Sequence, residues 1–234
     1  MNFDNNNNNN NFYESVGNVT KQTTRPIVTG TSIIGFKYRD GIMIAADNLA
    51  SYGSLARFKS VERIFPVGEF TCIAGSGDLS DFQYIKHLLE SLMIKENYID
   101  DGHVLTAPHI HEYLTQILYG RRSKLNPLWN SLIIGGFHDG EGYLGYADLL
   151  GTAHKSSTIA TGLGTQLMHP LLRKSVEGRE NEVTEEEAIE IVNDCMRVSY
   201  YRDARSLNKF QRAKITAKGF EITEPYSVDV VWHE

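Results

Sequence analysis

The chain has 234 residues, of which 41% are hydrophobic and 22% are charged, and its formal net charge is −6. These values fit one globular domain with a sizeable core. The acidic balance argues against nucleic acid or an anionic membrane surface as the main partner. The longest apolar runs have about five residues, whereas a membrane-spanning helix needs roughly 20.

Residues 1–22 differ in composition from the rest of the chain. They contain seven consecutive asparagines, at positions 5–11, and such a tract cannot bury enough apolar surface to offset its ordering entropy. We expect this segment to be disordered or removed. Residues 23–234 then form one domain, and Pro26 favours an extended approach to its first strand.

A β-hairpin is predicted at residues 29–47. Its turn is Asp40-Gly41, with apolar residues on both sides. The second arm is a continuous apolar run, which predicts a strand that is buried on both faces. Folding back at the turn brings Thr31 close to the carboxylate of Asp47. In the first arm, one face of the strand carries Ile34, Phe36 and Tyr38.

The rest of the pattern alternates short strands with pairs of helices. Apolar spacing predicts the helices, and Gly, Pro and Asp mark the turns. The predicted elements are a loop at 48–57, strands near 63–65 and 70–74, a helix capped by Asp78 or Ser80, a helix from Pro108, strands at 132–137, 143–149 and 157–161, a helix at 165–174, a helix opened by the Thr184–Glu187 capping box, and a hairpin of strands at 210–217 and 220–222.

This order predicts an α+β fold. Many short hairpin connections favour antiparallel sheets and exclude an alternating parallel α/β fold. The economical arrangement is a four-layer αββα sandwich, in which two antiparallel sheets stack face to face and a pair of helices covers each outer face.

Other polar features give weaker signals. Gly75-Ser76-Gly77 before a helix fits an anion site or, more commonly, a tight connection between strand and helix. Cys72 and Cys195 lie in apolar sequence without a C-x-x-C pair, so we expect reduced core thiols in a cytosolic or nuclear protein. No metal or cofactor is expected, because the loop around Pro108 gives no fixed ligand geometry to its neighbouring histidines, His103, His109 and His111.

Thr31 follows Gly30, and by itself this is a weak catalytic signal. A threonine that attacks an amide needs a base. At a free N-terminus the base is its own α-amine, whose pKa of about 7.7–8.0 suits the task. Catalysis would therefore require cleavage after Gly30, a nearby lysine, and backbone N–H groups for the oxyanion.

At these residues the chain resembles the beta subunits of the 20S proteasome, in the N-terminal nucleophile hydrolase superfamily. The resemblance covers residues 23 to about 230. It narrows to one non-catalytic type of beta subunit, whose own signatures are matched at 26–31, 53–57, 121–130 and 200–206. The motifs that follow the family's order and spacing are Gly30-Thr31, Gly41–Asp47, Gly75–Asp78 and Tyr201–Ser206.

The resemblance assigns roles position by position. The nucleophile position falls on Thr31, the first aspartate on Asp47 and the oxyanion glycine on Gly77. The late aspartate and serine fall on Asp203 and Ser206. All five residues are of the type found in active members of the family.

Two other positions depart from the active pattern. The lysine position falls on Arg63, and the serine that would bond the nucleophile's amine falls on Leu163. A guanidinium, with a pKa above about 12, keeps its proton and cannot play the same part in proton transfer. Losing a group of this kind typically costs 10²–10⁴-fold in rate. We expect Arg63 to pair with Asp47 in a filled, inert site.

The resemblance also implies where the chain is processed and what it binds. Processing would stop eight residues before the threonine position, between Gln22 and Thr23, so that Thr31 has no free amine. No residue is then catalytic. The implied role is structural, in a seven-membered beta ring that contacts the alpha ring and the opposite beta ring, in cytoplasm and nucleus. Two alternatives stay open: an active threonine endopeptidase cleaved at Gly30-Thr31, and a free-standing anion-binding module.

Overall fold

The structure is a computed structural model that describes residues 25–231. The predicted segment 1–22 and the predicted junction between Gln22 and Thr23 lie outside the described residues. In order along the chain, the described elements are β1 (Val28–Gly30), β2 (Ile33–Tyr38), β3 (Gly41–Asp47), β4 (Ala50–Tyr52), β5 (Leu55–Phe58), β6 (Ile64–Pro66), β7 (Thr71–Asp78), α1 (Leu79–Ile99), α2 (Ala107–Ser123), β8 (Asn130–His138), β9 (Glu141–Asp148), β10 (Ala153–Lys155), β11 (Thr158–Ala160), α3 (Gly164–Leu167), α4 (His169–Val176), α5 (Glu185–Arg202), β12 (Phe210–Thr216) and β13 (Gly219–Ile222).

The strands form two antiparallel sheets. The first has the order β11-β2-β3-β12-β13, and the second has the order β10-β9-β8-β7-β1-β4-β5. β6 also pairs with β7, through Ile64 opposite Ala74. Along the same edge β1 pairs with the last residues of β7, through Gly30 opposite Gly77. As a result β1 is an interior strand, with β7 on one side and β4 on the other.

The two sheets stack face to face, with helices on both outer sides. Apolar side chains of β2 and β3 meet those of β8 and β9 between the sheets. Residues of α4 and α5 cover the outer face of the first sheet, and residues of α1 and α2 cover that of the second. Each large apolar side chain buried in this way contributes roughly 1.5–3 kcal/mol relative to exposure. The predicted αββα sandwich is confirmed.

The central hairpin also agrees with the prediction. All seven residues of β3 are buried, which fits a strand between helices on one side and the second sheet on the other. β2 pairs with β3 from Ile33 opposite Ala46 to Tyr38 opposite Gly41. The side chains of Ile34, Phe36 and Tyr38 face the helices that cover the first sheet.

The loop predicted at residues 48–57 is wrong, because this segment forms β4, most of β5 and the turn between them. Gly53, with a φ of +59°, occupies the turn, and Tyr52 lies opposite Leu55 across it. β4 is held from its other side by β1, with Ser51 opposite Thr29. The strand therefore depends on a partner about 20 residues earlier, which local sequence patterns do not reveal.

The single helix predicted at 165–174 is also wrong. Two short helices, α3 and α4, occupy this stretch and meet at Met168. Pro170 lies in the first turn of α4. Since proline lacks an N–H and disfavours a helical residue before it, the chain begins a new helix there instead of continuing the old one.

Candidate functional site

Thr31 lies between β1 and β2, where the chain passes from one sheet to the other. Its hydroxyl donates a hydrogen bond of 2.5 Å to Oδ2 of Asp203. Asp203 is the C-cap residue of α5, and its Oδ1 accepts from the backbone N–H of Arg205 at 2.8 Å. The end of α5 therefore orients the threonine hydroxyl through a carboxylate.

The side chain of Arg63 fills the space beside Thr31. Arg63 and Asp47 form a buried ion pair, and each side chain is only 1% exposed. The same guanidinium donates to the backbone carbonyls of Thr31, Ser32 and Gly75. The predicted pairing of Arg63 with Asp47 is therefore present, and all three nitrogens of the guanidinium are engaged.

Burial and the neighbouring charge shift the pKa values of Asp47 and Arg63 in opposite directions. Burial raises the pKa of Asp47 to about 6, while the charge of Arg63 and the backbone N–H of Leu207, 3.0 Å away, oppose the rise. Burial lowers the pKa of Arg63, and the Asp47 carboxylate opposes that change. A guanidinium still keeps its proton under these conditions, so the group beside Thr31 donates hydrogen bonds and accepts none.

Gly30 makes room for this arginine. A Cβ atom at Gly30 would lie 2.3 Å from Nε of Arg63, far inside any normal contact. The arginine reaches this place because it directly precedes β6, and its backbone carbonyl accepts from the N–H of Gly75 at 3.1 Å. The guanidinium therefore occupies the gap along β7 between the ends of β6 and β1.

Gly75-Ser76-Gly77 form the last part of β7, just before Asp78 and α1. Gly77 has a φ of +94°, and a Cβ there would lie 2.1 Å from the carbonyl oxygen of Trp129. The Ser76 hydroxyl donates to the carbonyl of Ser131 at 3.2 Å. Gly77 thus allows close packing between β7 and the chain that enters β8, whereas Gly75 leaves room for the ring of Phe82 in α1, which a Cβ would meet at 2.2 Å.

The two remaining predicted positions, Ser206 and Leu163, form no hydrogen bond with Thr31. The hydroxyl of Ser206 donates to the carbonyls of Ser199 and Asp203, at 3.0 and 2.8 Å, and so caps the end of α5. Leu163 is 44% exposed and precedes α3. Its side chain has no group that can donate or accept a hydrogen bond.

The sequence analysis did not identify two hydroxyl groups that hold the backbone just after Thr31 in place. Ser32 is buried, and its Oγ accepts from the backbone N–H of Gly164 at 2.8 Å. Oγ1 of Thr161 accepts from the N–H of Ile33 at 3.1 Å. The only signal in the sequence was the adjacency of Ser32 to Thr31, which does not reveal a partner more than 100 residues away.

Other polar groups of the chain serve packing or lie at the surface. His111 contacts the Tyr143 hydroxyl and the Tyr146 carbonyl, both at 2.7 Å.

Over residues 25–231 no group of three or more His, Cys, Asp or Glu side chains could hold a metal ion. In the same range, none of the helices has the length and apolar character needed to cross a membrane. A cleft of about 810 Å³ lies at the opposite end of the hairpin, around Asp40 and Gly41.

Comparison with known proteins identifies one family. The family model described as "Proteasome subunit" matches residues 27–215. The chain is 48% identical over 212 residues to proteasome subunit beta type-4 of Xenopus laevis, across 91% of this chain and 87% of that protein. It is 49% identical over 223 residues to the probable proteasome subunit beta type-7 of Schizosaccharomyces pombe, across 94% and 85% of the two chains.

A plant relative carries the same type name as the amphibian one. The chain is 41% identical over 213 residues to proteasome subunit beta type-4 of Arabidopsis thaliana, across 91% of this chain and 85% of that protein. The resemblance read from the sequence motifs is therefore confirmed over most of the chain. On the strength of the family model and of these relatives, the chain belongs to the proteasome subunit family, as a beta-type member.

Proposed function

We propose that this beta subunit is non-catalytic and serves as a structural part of the 20S proteasome core, the complex that degrades intracellular, ubiquitinated proteins. The observation that carries the proposal is the buried Arg63–Asp47 pair beside Thr31. An attacking threonine needs a group that accepts its proton. The arginine offers hydrogen-bond donors only, and it is already bound to Asp47 and to the carbonyl of Thr31.

The strand before Thr31 supports the same proposal. A free amine on Thr31 requires cleavage after Gly30, and Gly30 is the last residue of β1. β1 is paired on both sides, with Val28 opposite Tyr52 in β4 and Thr29 opposite Asp78 in β7. It also lies where an extended peptide would otherwise add to these strands. Removal of β1 would leave two strands without their partner.

The alternative is an active threonine endopeptidase cleaved at Gly30-Thr31. The hydrogen bond between Thr31 and Asp203 favours it, since a carboxylate can orient a nucleophilic hydroxyl. This bond does not replace the amine, and Leu163 leaves no hydroxyl at the position where one would hold that amine. We therefore retain the structural role.

Partners follow from the family. The relatives named above are proteasome subunits, and we propose that this chain occupies one place in a heteroheptameric beta ring. In that place it contacts neighbouring beta subunits, the alpha ring and the opposite beta ring. The proposed location is cytoplasm and nucleus. Residues 1–22 would be a propeptide, with the junction between Gln22 and Thr23.

Mass spectrometry of the mature chain tests the proposal. The assembled particle is isolated, treated with a threonine-directed covalent inhibitor, and the intact mass of each subunit is measured. We expect a chain that begins at Thr23 and carries no adduct, while active subunits of the same particle do carry it. A mature chain that begins at Thr31 and takes up the inhibitor would establish the endopeptidase instead.

A further inference from the structure

The hairpin of β4 and β5 ends the second sheet, and β5 is its edge strand. β5 pairs with β4, and no other described strand lies beside it. All four residues of β5 are exposed. An edge strand of this kind presents unpaired backbone N–H and C=O groups to any extended chain that approaches. At this edge the described part of the chain leaves room for one more strand.

A bulge brings the large side chains of the hairpin together. Tyr52 lies opposite Leu55, and Ala50 lies opposite Phe58, so Arg57 is an additional residue in β5. Residues two apart in a strand share a face, which places Ala50 and its partner Phe58 on the face of Tyr52 and Leu55. Tyr52, Leu55 and Phe58 are 56%, 54% and 46% exposed. Clustered exposed apolar side chains of this size mark an interaction surface.

The charge of this surface is positive, although the whole chain has a net charge of −6. Arg57 and Lys59 are exposed, and neither forms an ion pair with a described residue. The guanidinium of Arg57 lies 5.5 Å from the ring centroid of Phe58. Lys209 adds a third cation at the base of the hairpin, 3.4 Å from the Ser60 hydroxyl. Residues 48–61 contain no acidic side chain.

We propose that the β4–β5 hairpin binds an extended segment of another polypeptide, which pairs with the open edge of β5 and carries both carboxylates and apolar side chains. Backbone hydrogen bonds would supply affinity, and side chains would supply specificity. Carboxylates of the partner meet Arg57 and Lys59, and its apolar groups meet Tyr52, Leu55 and Phe58. This proposal rests on the proposed function, because the partner polypeptide is expected within the 20S core in which the chain serves as a structural subunit.

The test uses the full chain in the assembled particle. A photo-crosslinking amino acid replaces Phe58, and the crosslinked peptide is identified by mass spectrometry. Hydrogen exchange of residues 55–58 is compared between the free full-length chain and the particle. We expect a crosslink to one contiguous segment of a different polypeptide that contains Asp or Glu. Exchange at these amides should be at least tenfold slower in the particle.

A pair of charge-reversal variants tests the electrostatic part. The double variant Arg57→Glu, Lys59→Glu should enter the particle at least tenfold less efficiently than the parent chain. The control Lys95→Glu, Lys174→Glu changes the net charge equally at exposed sites elsewhere and should change incorporation less than twofold. Both variants should melt at the parent temperature, because the replaced side chains are exposed.

The outcomes separate this surface from the proposed function. A chain that assembles normally while residues 55–58 exchange at the free rate overturns the surface and leaves the structural role standing. A crosslink that reaches only residues of the same chain, or a segment without acidic residues, also overturns it. A chain that stays monomeric, without crosslinks, overturns both. Inhibitor adducts on Thr31 with a protected β5 overturn the structural role alone.

Discussion

The stability of the buried part of the site depends on Arg63. Its guanidinium is bound to the Asp47 carboxylate and to the backbone carbonyls of Thr31 and Gly75. A buried charge that loses its partner costs far more than a surface charge, because water cannot compensate it. The stability of the site therefore depends on keeping both members of the pair, or on removing both.

Replacement of arginine by an apolar side chain of similar length tests this dependence. We expect Arg63→Met to lower the free energy of unfolding by about 3–5 kcal/mol at pH 7, because it leaves the Asp47 carboxylate buried and unpaired. Urea unfolding of the full chain measures the loss. The double variant Arg63→Met, Asp47→Asn should recover much of it, and a double variant as unstable as the single one would contradict the argument.

The pH dependence of the Arg63→Met variant has a defined sign. Burial already raises the pKa of Asp47 to about 6 against the opposing charge of Arg63, so removal of that charge should raise it further. A raised pKa in the folded state means that stability is present at low pH and lost as the pH rises through that pKa. The deficit relative to the parent should therefore be larger at pH 8 than at pH 5.

Gly30 offers a second test at the same scale. Gly30→Ala would place a methyl group 2.3 Å from Nε of Arg63, and we expect a loss of about 1–3 kcal/mol from overpacking. Gly120→Ala is the matched control, because a Cβ there meets nothing within 4 Å and the residue lies inside α2. The control should gain up to about 1 kcal/mol. Equal effects in thermal unfolding would refute the tight fit.

At the scale of elements, the predictions were correct where the interacting residues are close together in sequence. The Asp40-Gly41 turn and the helix cap at Asp78 appear as predicted. Of the predicted capping box, Thr184 caps α5 through the N–H of Glu187, whereas the Glu187 carboxylate accepts from Arg179. β1, β4 and β5 were missed, because each has only three or four residues and β1 joins strands that are distant in sequence. Their sequences carry no alternation long enough to distinguish a strand from a loop.

The two helix caps differ in what they hold, and this difference can be measured. The Thr184 side chain accepts from the N–H of Glu187 at 3.3 Å, and Thr184→Ala should cost about 1 kcal/mol. Asp78 accepts from Ser80 and Asp81, at 2.9 and 3.1 Å. It also accepts from the N–H of Ile27 at 3.0 Å.

Asp78→Ala should therefore cost more than Thr184→Ala, because it also releases the chain that enters β1. Denaturant unfolding gives the two free energies, and hydrogen exchange at Ile27 reports the added effect. Equal losses, with unchanged exchange at Ile27, would show that the contact between Asp78 and Ile27 contributes nothing.

For the whole molecule, the sandwich could be predicted from the order of elements, whereas the contents of the site could not. Apolar spacing predicts which faces are buried, so the four layers follow. The hydrogen bonds of Thr31 reach Arg63, directly before β6, and Asp203, at the end of α5. Partners such as Asp203, 172 positions later, were predicted only by resemblance to a family and not by any local pattern.

The interior position of β1 gives a prediction for truncated chains. A chain that begins at Thr31 lacks β1, so β4 and β7 lose their shared partner. We expect its free energy of unfolding to fall and the amides of β4 and β5 to exchange rapidly. A chain that begins at Arg25 keeps β1 and should behave like the full chain. Equal protection of β4 in both truncated forms would show that β1 is dispensable.

The same strand sets a barrier to any attempt to engineer peptidase activity into this chain. Arg63→Lys and Leu163→Ser would introduce the two side chains that the resemblance assigns to an active site, yet the nucleophile would also need a new terminus after Gly30. That cut would separate β1 from Thr31 and β2, so that β1 would no longer be covalently attached to the chain whose sheet it completes. Catalysis therefore requires cleavage of the Gly30–Thr31 bond, whereas the stability of the second sheet requires that this bond stay intact.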